Sequence, residues 1–330
     1  MTIPSLPPDQ PNSHTPKSLH LTVRHDGGGT ERNVQKLCEA VPAFYHRSLE
    51  ELLGWPMNWR RLPGAMRSLR AERPKVVFCY GAWAHIVAAM TFPSKPPELI
   101  GSIRCITDFE GKKALIRKVL KWRFKRWVSN SRAALPMEIN CNVIYNGIDI
   151  PPDDEPVLLP DLPKPVFGML ASGHPKKGHR FAMRTWKALG KPGTLVFAGN
   201  IGPELKAAAE AEGVLCPGYV EAGPLLRSLD LLLVPSKAEG IPTVCLEAMA
   251  RGLPVLASPA GGIPELVKHR KTGYLLWHDK WLDFLKDLDW EEARTVGAEG
   301  QAYVREHFTF TKMRNRFEGV AEEVLYRRKI

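Results

Sequence analysis

Two glutamates in one short segment have the residue type and spacing to do chemistry. The segment EGIPTVCLEAMARGLPV covers residues 239–255 and places Glu239 eight positions before Glu247. A carboxylate pair can act as acid and base, bind hydroxyl groups or stabilise a developing cation. Glutamate is also a good helix former and is mostly exposed, so spacing alone favours two solvated charges. The surrounding elements have to decide between these interpretations.

The flanking residues predict a strand, a loop and a helix around the glutamates. LDLLLVPS reads as a buried strand, KAEG as a loop, Pro242 as the first helical residue and Gly252 as the helix end. Ligands of parallel sheets bind beyond the carboxyl ends of strands, so Glu239 is predicted at a ligand face. A helix N-terminus suits a phosphate, which a carboxylate would repel; Glu239 should therefore face sugar hydroxyls or a developing cation. Glu247, about two turns along, reaches a ligand only if its helix borders a cleft.

Short apolar runs alternate with helical patterns from Leu19 onward, which predicts βαβ units and parallel sheets. The proline-dense stretch PPDDEPVLLPDLPKP predicts a linker between two doubly wound halves. The predicted strands are LHLTV, KVVFCY, LIGSIRCIT, NVIYNG, VFGML, TLVFAG, LDLLLVPS, PVLAS and GYLL. The predicted divisions are a flexible tail (1–18), an N-terminal domain (19–150), a linker (151–165), a C-terminal domain (166–308) and a C-terminal helix (309–330) that crosses back to the first domain.

The composition is that of a globular protein with an excess of positive charge. Of the 330 residues, 44% are hydrophobic and 25% charged, with a formal net charge of +11. The charge suggests an anionic partner: nucleic acid, an acidic membrane surface or a phosphorylated substrate. The six cysteines show no CxxC spacing, which favours reduced, small hydrophobic residues over zinc ligands or disulfides. No apolar run is long enough to span a bilayer, so any membrane contact should be peripheral.

Several motifs occur in the order found in one enzyme family. They are GGTERNVQKLCEAV, VSNS with VIYNGID, HPKKGH, LVFAGNIGPE, PSKAEGIPTVCLEAMARGLPVLASPAGGIPELV and FTFTKMRNRFEGVAEEVL. Together they closely resemble family 4 glycosyltransferases of the GT-B fold, of the bacterial polysaccharide and lipopolysaccharide type, whose signature is two glutamates separated by seven residues. The resemblance covers the chain from residue 19 onward and is stronger in the second half. It implies two Rossmann-like domains that face each other across a cleft.

The resemblance also implies roles for particular residues. Glu239 would contact donor-sugar hydroxyls and support charge at the anomeric carbon, Glu247 would bind the ribose, and Lys177 would neutralise the diphosphate. The alternative for Lys177 is a surface lysine in a basic run, and the glycines could form ordinary turns. The other implied donor-side residues are Gly28, Gly29, Asn200, Tyr219, Val220, Gly240, Ile241, Pro242 and Thr243.

The chain departs from the family pattern at two points. Ser172 stands where an arginine usually helps to hold the diphosphate, so Lys176 or another arginine would have to compensate. Thr107 and Asp108 stand where the family often has a His-Asp pair near the acceptor. Asp26 is a further acidic candidate on the acceptor side, with a turn or helix-cap role equally open. The family retains anomeric configuration, and one mechanism proposed for it needs no enzymic base.

No cofactor or metal is expected beside a nucleotide-sugar co-substrate of the UDP or GDP type. DLD at 287–289 has the form used by metal-dependent transferases of another fold, but it lies in WLDFLKDLDWEEA, which predicts an amphipathic helix with solvated acids. The alternatives to a transferase are a GT-B epimerase or hydrolase, and a non-catalytic protein that binds sugar nucleotides or polyanions.

The stretch GKKALIRKVLKWRFKRWV (111–128) is the main basic segment. It predicts either a core-packed helix with a charged outer face or a surface helix, Lys112 to Trp127, that contacts anionic lipid. No nucleic-acid-binding module is recognisable, so nucleic acid is not expected as a partner. A glycan or lipid-linked glycan acceptor at the inner face of the cytoplasmic membrane would account for the charge, and the expected location is cytoplasmic and peripheral.

Overall fold

The computed structural model describes residues 18–24, 29–94, 96–104, 122–133, 141–152 and 156–326, and these form two parallel, six-stranded sheets. The N-terminal sheet has the order β2-β1-β3-β4-β5-β6 and the C-terminal sheet the order β12-β11-β10-β7-β8-β9. The first sheet contains β1 (Ser18–Thr22), β2 (Phe44–Ser48), β3 (Val76–Tyr80), β4 (Glu98–Ile103), β5 (Arg126–Ser129) and β6 (Cys141–Val143). The second contains β7 (Val166–Leu170), β8 (Thr194–Ala198), β9 (Leu215–Gly218), β10 (Leu231–Val234), β11 (Val255–Ala257) and β12 (Tyr274–Leu275).

Helices connect and cover the strands, as parallel neighbours require. Those that follow strands of the N-terminal sheet are α1 (Gly29–Ala40), α2 (Leu49–Leu53), α3 (Leu62–Ala71) and α4 (Ala82–Thr91). Those of the C-terminal sheet are α5 (His179–Ala188), α6 (Pro203–Glu210), α7 (Ala222–Leu226), α8 (Thr243–Met249), α9 (Ile263–Leu266), α10 (Trp281–Lys286) and α11 (Trp290–His307), followed by α12 (Phe310–Tyr326). Short 3-10 turns cover Trp59–Arg61, Pro175–Lys177 and His278–Lys280.

Each sheet is buried on both faces, which explains why its central strands are nearly continuous apolar runs. All five residues of β1 and all five of β3 are buried. Separate hydrophobic clusters fill the two sides of each sheet. The α/β class with two Rossmann-like domains, expected from the sequence, is therefore confirmed.

The C-terminal helix α12 packs against the N-terminal sheet. Its apolar residues recur at helical spacing, and Phe317 contacts the ring of Phe78 on β3 with centroids 5.6 Å apart. At the start of α12, the backbone amide of Phe310 donates a hydrogen bond of 2.9 Å to the carbonyl oxygen of Ile148. The last helix of the chain thus completes the core of its first domain.

Three strands were missed by the sequence patterns. β2 (FYHRS) and β9 (LCPG) are edge strands of the two sheets. Polar residues obscure the apolar pattern of β2, and a proline interrupts that of β9. β5 (RWVS) lies at the end of the basic stretch, which the sequence predicted to be helical through Trp127.

The helix predicted over Lys112 to Trp127, whether packed on the core or in contact with lipid, does not extend to Trp127. Trp127 is buried in β5 because that strand pairs with β4, and Phe124 is 1% exposed. Arg123 is buried and donates hydrogen bonds to the carbonyl oxygens of Phe92, Ser94 and Pro97. Residues 112–121 lie outside the described part of the chain.

Two smaller expectations also change. DLD does not lie within one helix: α10 ends at Lys286, and Asp289 is the N-cap of α11, accepting hydrogen bonds from the amides of Glu291 and Glu292. Pro242 immediately precedes α8 instead of being its first residue. Among the described residues, no helix is long and apolar enough to cross a membrane, and no group of His, Cys, Asp and Glu side chains could hold a metal ion.

Candidate active site

Lys177 and Glu239 form an ion pair at the carboxyl edge of the C-terminal sheet. Lys177 ends the 3-10 turn that follows β7, and Glu239 lies in the loop that follows β10, the strand that pairs with β7. The Lys177 Nζ atom lies 2.5 Å from Glu239 Oε1, and both side chains are largely buried, with exposed fractions of 23% and 12%. The fold thus joins two candidates that are 62 positions apart in the sequence.

Glycines hold the loops of this pair close together. Gly178, directly after Lys177, has a φ of +84°, and a Cβ there would lie 2.4 Å from the carbonyl oxygen of Pro235. Gly261 has a φ of +55°, and a Cβ there would lie 1.8 Å from the carbonyl oxygen of Glu239. The backbone amide of Lys237 donates to the carbonyl of Lys176 at 2.8 Å. A larger residue at either glycine would therefore displace one member of the ion pair.

The start of α8 faces the N-terminal domain. A Cβ on Gly29, at the start of α1, would lie 2.4 Å from Thr243 Oγ1. A Cβ on Gly240 would lie 2.2 Å from the carbonyl oxygen of Arg104 and 2.4 Å from Asn130 Oδ1. The start of α1 and the start of α8 are therefore in direct contact at the boundary between the domains, and each helix N-terminus carries partial positive charge.

Three residues at this domain boundary received no site role from the sequence, namely Arg104, Asn130 and Asn146, although Asn130 and Asn146 lie in the motifs VSNS and VIYNGID. Each lies just past the carboxyl end of a strand of the N-terminal sheet, and that position was the signal that could have identified them. Arg104 Nη1 donates to Asn146 Oδ1 at 2.9 Å, and Asn146 Nδ2 donates to the carbonyl oxygen of Ile241 at 2.9 Å. Asn130 Oδ1 is buried and has no hydrogen-bond partner among the described residues, so it could accept a hydrogen bond from a ligand.

Glu247 lies inside α8 in surroundings unlike those of Glu239. Burial raises the pKa of the Glu247 carboxyl group, and the nearby guanidinium groups of Arg32 on α1 and Arg251 act in the opposite direction. Arg251 Nη1 also donates to the backbone carbonyl of Glu247 at 2.8 Å. Because Arg32 belongs to the N-terminal domain, Glu247 lies near the boundary between the two domains.

The proposed nucleotide loops lie next to each other at the ends of β7, β8 and β9. The amide of Gly173 donates to the carbonyl of Asn200 at 2.9 Å, which places exposed Ser172 beside exposed Asn200. The amide of Gly199 donates to Gly218 at 2.7 Å and so brings in the following residue, Tyr219. The Tyr219 side chain is 79% exposed, whereas Val220 packs against the core.

A glutamate outside these motifs joins the two domains. Glu265 on α9 accepts hydrogen bonds from the backbone amides of Arg132 and Ala133 at 2.9 Å and from the Tyr145 hydroxyl at 2.8 Å. Nearby, a Cβ on Gly262 would lie 2.5 Å from Ser131 Cβ. One carboxylate of the C-terminal domain therefore holds three donors of the N-terminal domain.

Four candidates lie outside the described residues: Asp26, Gly28, Thr107 and Asp108. Their proposed acceptor-side and phosphate-side roles stay predictions. The candidates brought together are Lys177 with Glu239, and Gly29 with the start of α8.

The arrangement matches known glycosyltransferases in fold and, over the C-terminal domain, in sequence. Residues 164–288 match the family described as Glycosyl transferases group 1. HepE of Anabaena, solved in complex with UDP-glucose, superposes with a TM-score of 0.78 at 20% identity, over 93% of this chain and 99% of that one. The family match confirms the glycosyltransferase resemblance over the C-terminal domain, and the structural likeness confirms the GT-B fold.

Sequence relatives point to the same class. N-acetyl-alpha-D-glucosaminyl L-malate synthase of Bacillus anthracis is 36% identical over 108 residues, 31% of this chain and 28% of that protein. The amylovoran biosynthesis glycosyltransferase AmsK of Erwinia amylovora is 36% identical over 119 residues, 30% of this chain and 29% of that protein. This chain therefore matches less than a third of the length of these two relatives.

Proposed function

We propose that this protein is a retaining glycosyltransferase of family 4 that moves a sugar from a nucleotide diphosphate to a hydroxyl group of a glycan or lipid-linked glycan. The observation that carries the proposal is the Lys177–Glu239 pair at 2.5 Å, held where two parallel strands end. Such a pair offers a cation for a diphosphate and a carboxylate for the sugar next to it. The relatives that act in polysaccharide synthesis support a role in polysaccharide or lipopolysaccharide assembly.

Each charged group has a defined task in this reaction. The acceptor oxygen attacks the anomeric carbon, the bond from that carbon to the phosphate oxygen breaks, and the acceptor proton passes to the leaving diphosphate. Lys177 and the α8 N-terminus stabilise the charge that develops on the diphosphate. Glu239 binds sugar hydroxyls and supports the positive charge on the anomeric carbon, while Glu247 binds the ribose. Donor binding exchanges the ion pair for these contacts.

Substitution of Glu239 tests this assignment. Glu239→Gln should lower kcat by about 100-fold or more, because an amide does not balance a developing cation. Glu299→Gln, on the exposed face of α11, is the matched control. The assay would combine a panel of nucleotide sugars with glycan and lipid-linked acceptors in the presence of EDTA. Turnover by Glu239→Gln close to wild type would remove Glu239 from the mechanism, and efficient donor cleavage without an acceptor would instead indicate a hydrolase.

We also propose peripheral contact with an anionic membrane at the cytoplasmic face, through a surface of the N-terminal domain. Trp55, Trp59 and Trp83 are 54%, 41% and 46% exposed, and we call these three residues the tryptophan patch. The rings of Trp59 and Trp83 lie 4.9 Å apart, and the guanidinium of Arg24 lies 5.0 Å from the Trp55 ring. Exposed arginines follow at positions 60, 61 and 67. Tryptophan favours the membrane interface and arginine favours anionic headgroups.

Vesicle sedimentation tests the membrane proposal. The protein should sediment with vesicles that contain phosphatidylglycerol at about 0.1 M salt, and less with phosphatidylcholine alone. Trp59→Ala/Trp83→Ala should lose most of this binding, whereas Trp277→Ala, which changes a 68% exposed tryptophan of the C-terminal domain, should keep it. Equal binding by both variants would exclude the tryptophan patch as the contact surface.

A further inference from the structure

A separate cavity lies at the edge of the C-terminal sheet opposite the candidate active site. Its volume is about 260 Å³, and Asp230 and Pro254, which line it, directly precede β10 and β11. Glu239, by contrast, follows the carboxyl end of β10. Three arginines line this cavity: Arg227 and Arg251 lie just past the C-terminal ends of α7 and α8, and Arg294 lies within α11. We call it the arginine cavity.

Two of the three arginines of the arginine cavity have side chains without a partner among the described residues. Asp230 is the acidic residue of its lining, but Asp230 Oδ1 is paired with Lys164 Nζ at 2.9 Å and Oδ2 accepts the amide of Val166 at 2.7 Å. The guanidinium groups of Arg227 and Arg294 form no hydrogen bond or ion pair with any other described residue, whereas Arg251 lies near the Glu247 carboxylate and donates to its backbone carbonyl. Arginine side chains that converge on a cavity without carboxylate partners are suited to bind an anion.

The backbone around the arginine cavity is held in place. A Cβ on Gly297 would lie 2.2 Å from the carbonyl oxygen of Gly252, so α11 lies directly against the turn that follows α8. Arg294 lies one turn before Gly297 on α11, and Arg251 immediately precedes Gly252. The hydrogen bond from Arg251 to the Glu247 carbonyl fixes that side chain further. The backbone positions of Arg251 and Arg294 are therefore fixed relative to each other.

We propose that the arginine cavity binds a small phosphate-bearing molecule. Planar guanidinium groups bind phosphate oxygens in a bidentate manner, and several of them match a dianion better than a monoanion. Trp290 and Leu253 supply apolar surface beside the arginines, which suits the organic part of a phosphate ester. The proposal does not depend on glycosyl transfer, because the cavity shares no lining residue with the Lys177–Glu239 site.

Isothermal titration calorimetry with inorganic phosphate and glycerol 3-phosphate tests the proposal. The wild type should bind glycerol 3-phosphate, and Arg227→Gln/Arg294→Gln should bind it at least tenfold more weakly. The control Arg184→Gln changes an exposed arginine of α5 that does not line the cavity, and it should bind as the wild type does. Titration with sodium chloride at matched ionic strength should not reproduce the binding signal of either ligand.

A second variant separates this site from the donor site. Lys177→Ala removes the proposed diphosphate cation, and it should retain glycerol 3-phosphate binding if the arginine cavity is the site. Circular dichroism would show that the variants are folded, as expected because Arg227 and Arg294 are exposed. Unchanged affinity in Arg227→Gln/Arg294→Gln, or loss of binding in Lys177→Ala alone, would overturn the proposal.

Discussion

Glu239 and Glu247 occupy different electrostatic surroundings, although they share one segment. Glu239 is paired with Lys177 at 2.5 Å, whereas burial raises the pKa of Glu247 on the next helix. Two carboxylates that served as acid and base for one proton would have to face the same reacting atom. Glu239 in the loop before α8 and Glu247 within α8 are instead placed to contact two ends of one extended ligand. This difference is consistent with the proposal that Glu239 binds the sugar and Glu247 the ribose.

His20 should make the stability of the N-terminal domain depend on pH. It is fully buried on β1, and its Nδ1 atom lies 2.9 Å from the Tyr80 hydroxyl. Burial lowers the pKa of His20 to about 3 from a usual value of 6.5. The unfolded chain therefore binds a proton that the folded chain does not, and stability falls as pH decreases below about 6.5. At pH 5 the loss should be about 2 kcal/mol from this residue.

Urea denaturation of the wild type and His20→Phe at pH 7.5 and pH 5 measures this effect. Phenylalanine keeps the ring contacts with Phe44 and Phe78 but has no titratable group, so the variant should lose less stability between the two pH values. His307→Phe, which alters a half-exposed histidine of α11, should behave as the wild type does. An equal loss of stability in His20→Phe and wild type would contradict the prediction.

At the scale of elements, the contact between α9 and the segment that follows β5 joins the two domains, and we expect it to hold their relative orientation. Glu265→Ala would remove the acceptor of three hydrogen bonds, two of them from backbone amides at 2.9 Å. Hydrogen bonds to a charged group each contribute about 1.5–3 kcal/mol, so kcat should fall by about tenfold or more as the domains lose their relative orientation. Nucleotide binding should change little because the proposed nucleotide loops belong to the C-terminal domain.

Glu265→Gln separates this positioning role from a general loss of stability. Glutamine retains one acceptor oxygen, so its kcat should lie between those of Glu265→Ala and the wild type. Small-angle X-ray scattering should show a wider range of domain separations for Glu265→Ala than for the control Glu299→Ala on α11. A wild-type kcat in Glu265→Ala would show that the catalytic geometry is held elsewhere.

The elements that the sequence predicts well are those with a simple apolar pattern. β3 and β7 are buried on both faces, and their runs VVFCY and VFGML were recognised with boundaries correct to a residue. β5 was missed because its neighbours in the sequence are basic, although Trp127 is buried in the sheet. Local patterns report burial on a regular element, and they fail where charged residues border a short strand.

At the scale of the whole molecule, excess charge is distributed over more than one surface. Arginines adjoin the tryptophan patch on the N-terminal domain, and others line the arginine cavity on the C-terminal domain. Within the described part of the chain, some of the net charge of +11 thus lies on two separate surfaces. We propose that the tryptophan patch contacts anionic lipid and that the arginine cavity binds a phosphate-bearing molecule. The two binding experiments test these proposals independently.

The sequence by itself determined the α/β class, the two parallel sheets and the glutamate motif, because these depend on apolar periodicity and local turn chemistry. Only the tertiary structure decided that Lys177 meets Glu239, that Glu265 joins the domains and that Arg227 and Arg294 share a cavity. These contacts join residues far apart in the chain, from loops whose positions follow from strand order. Local sequence patterns do not specify the spatial order of the strands in a sheet, so these contacts can be recognised only in the folded structure.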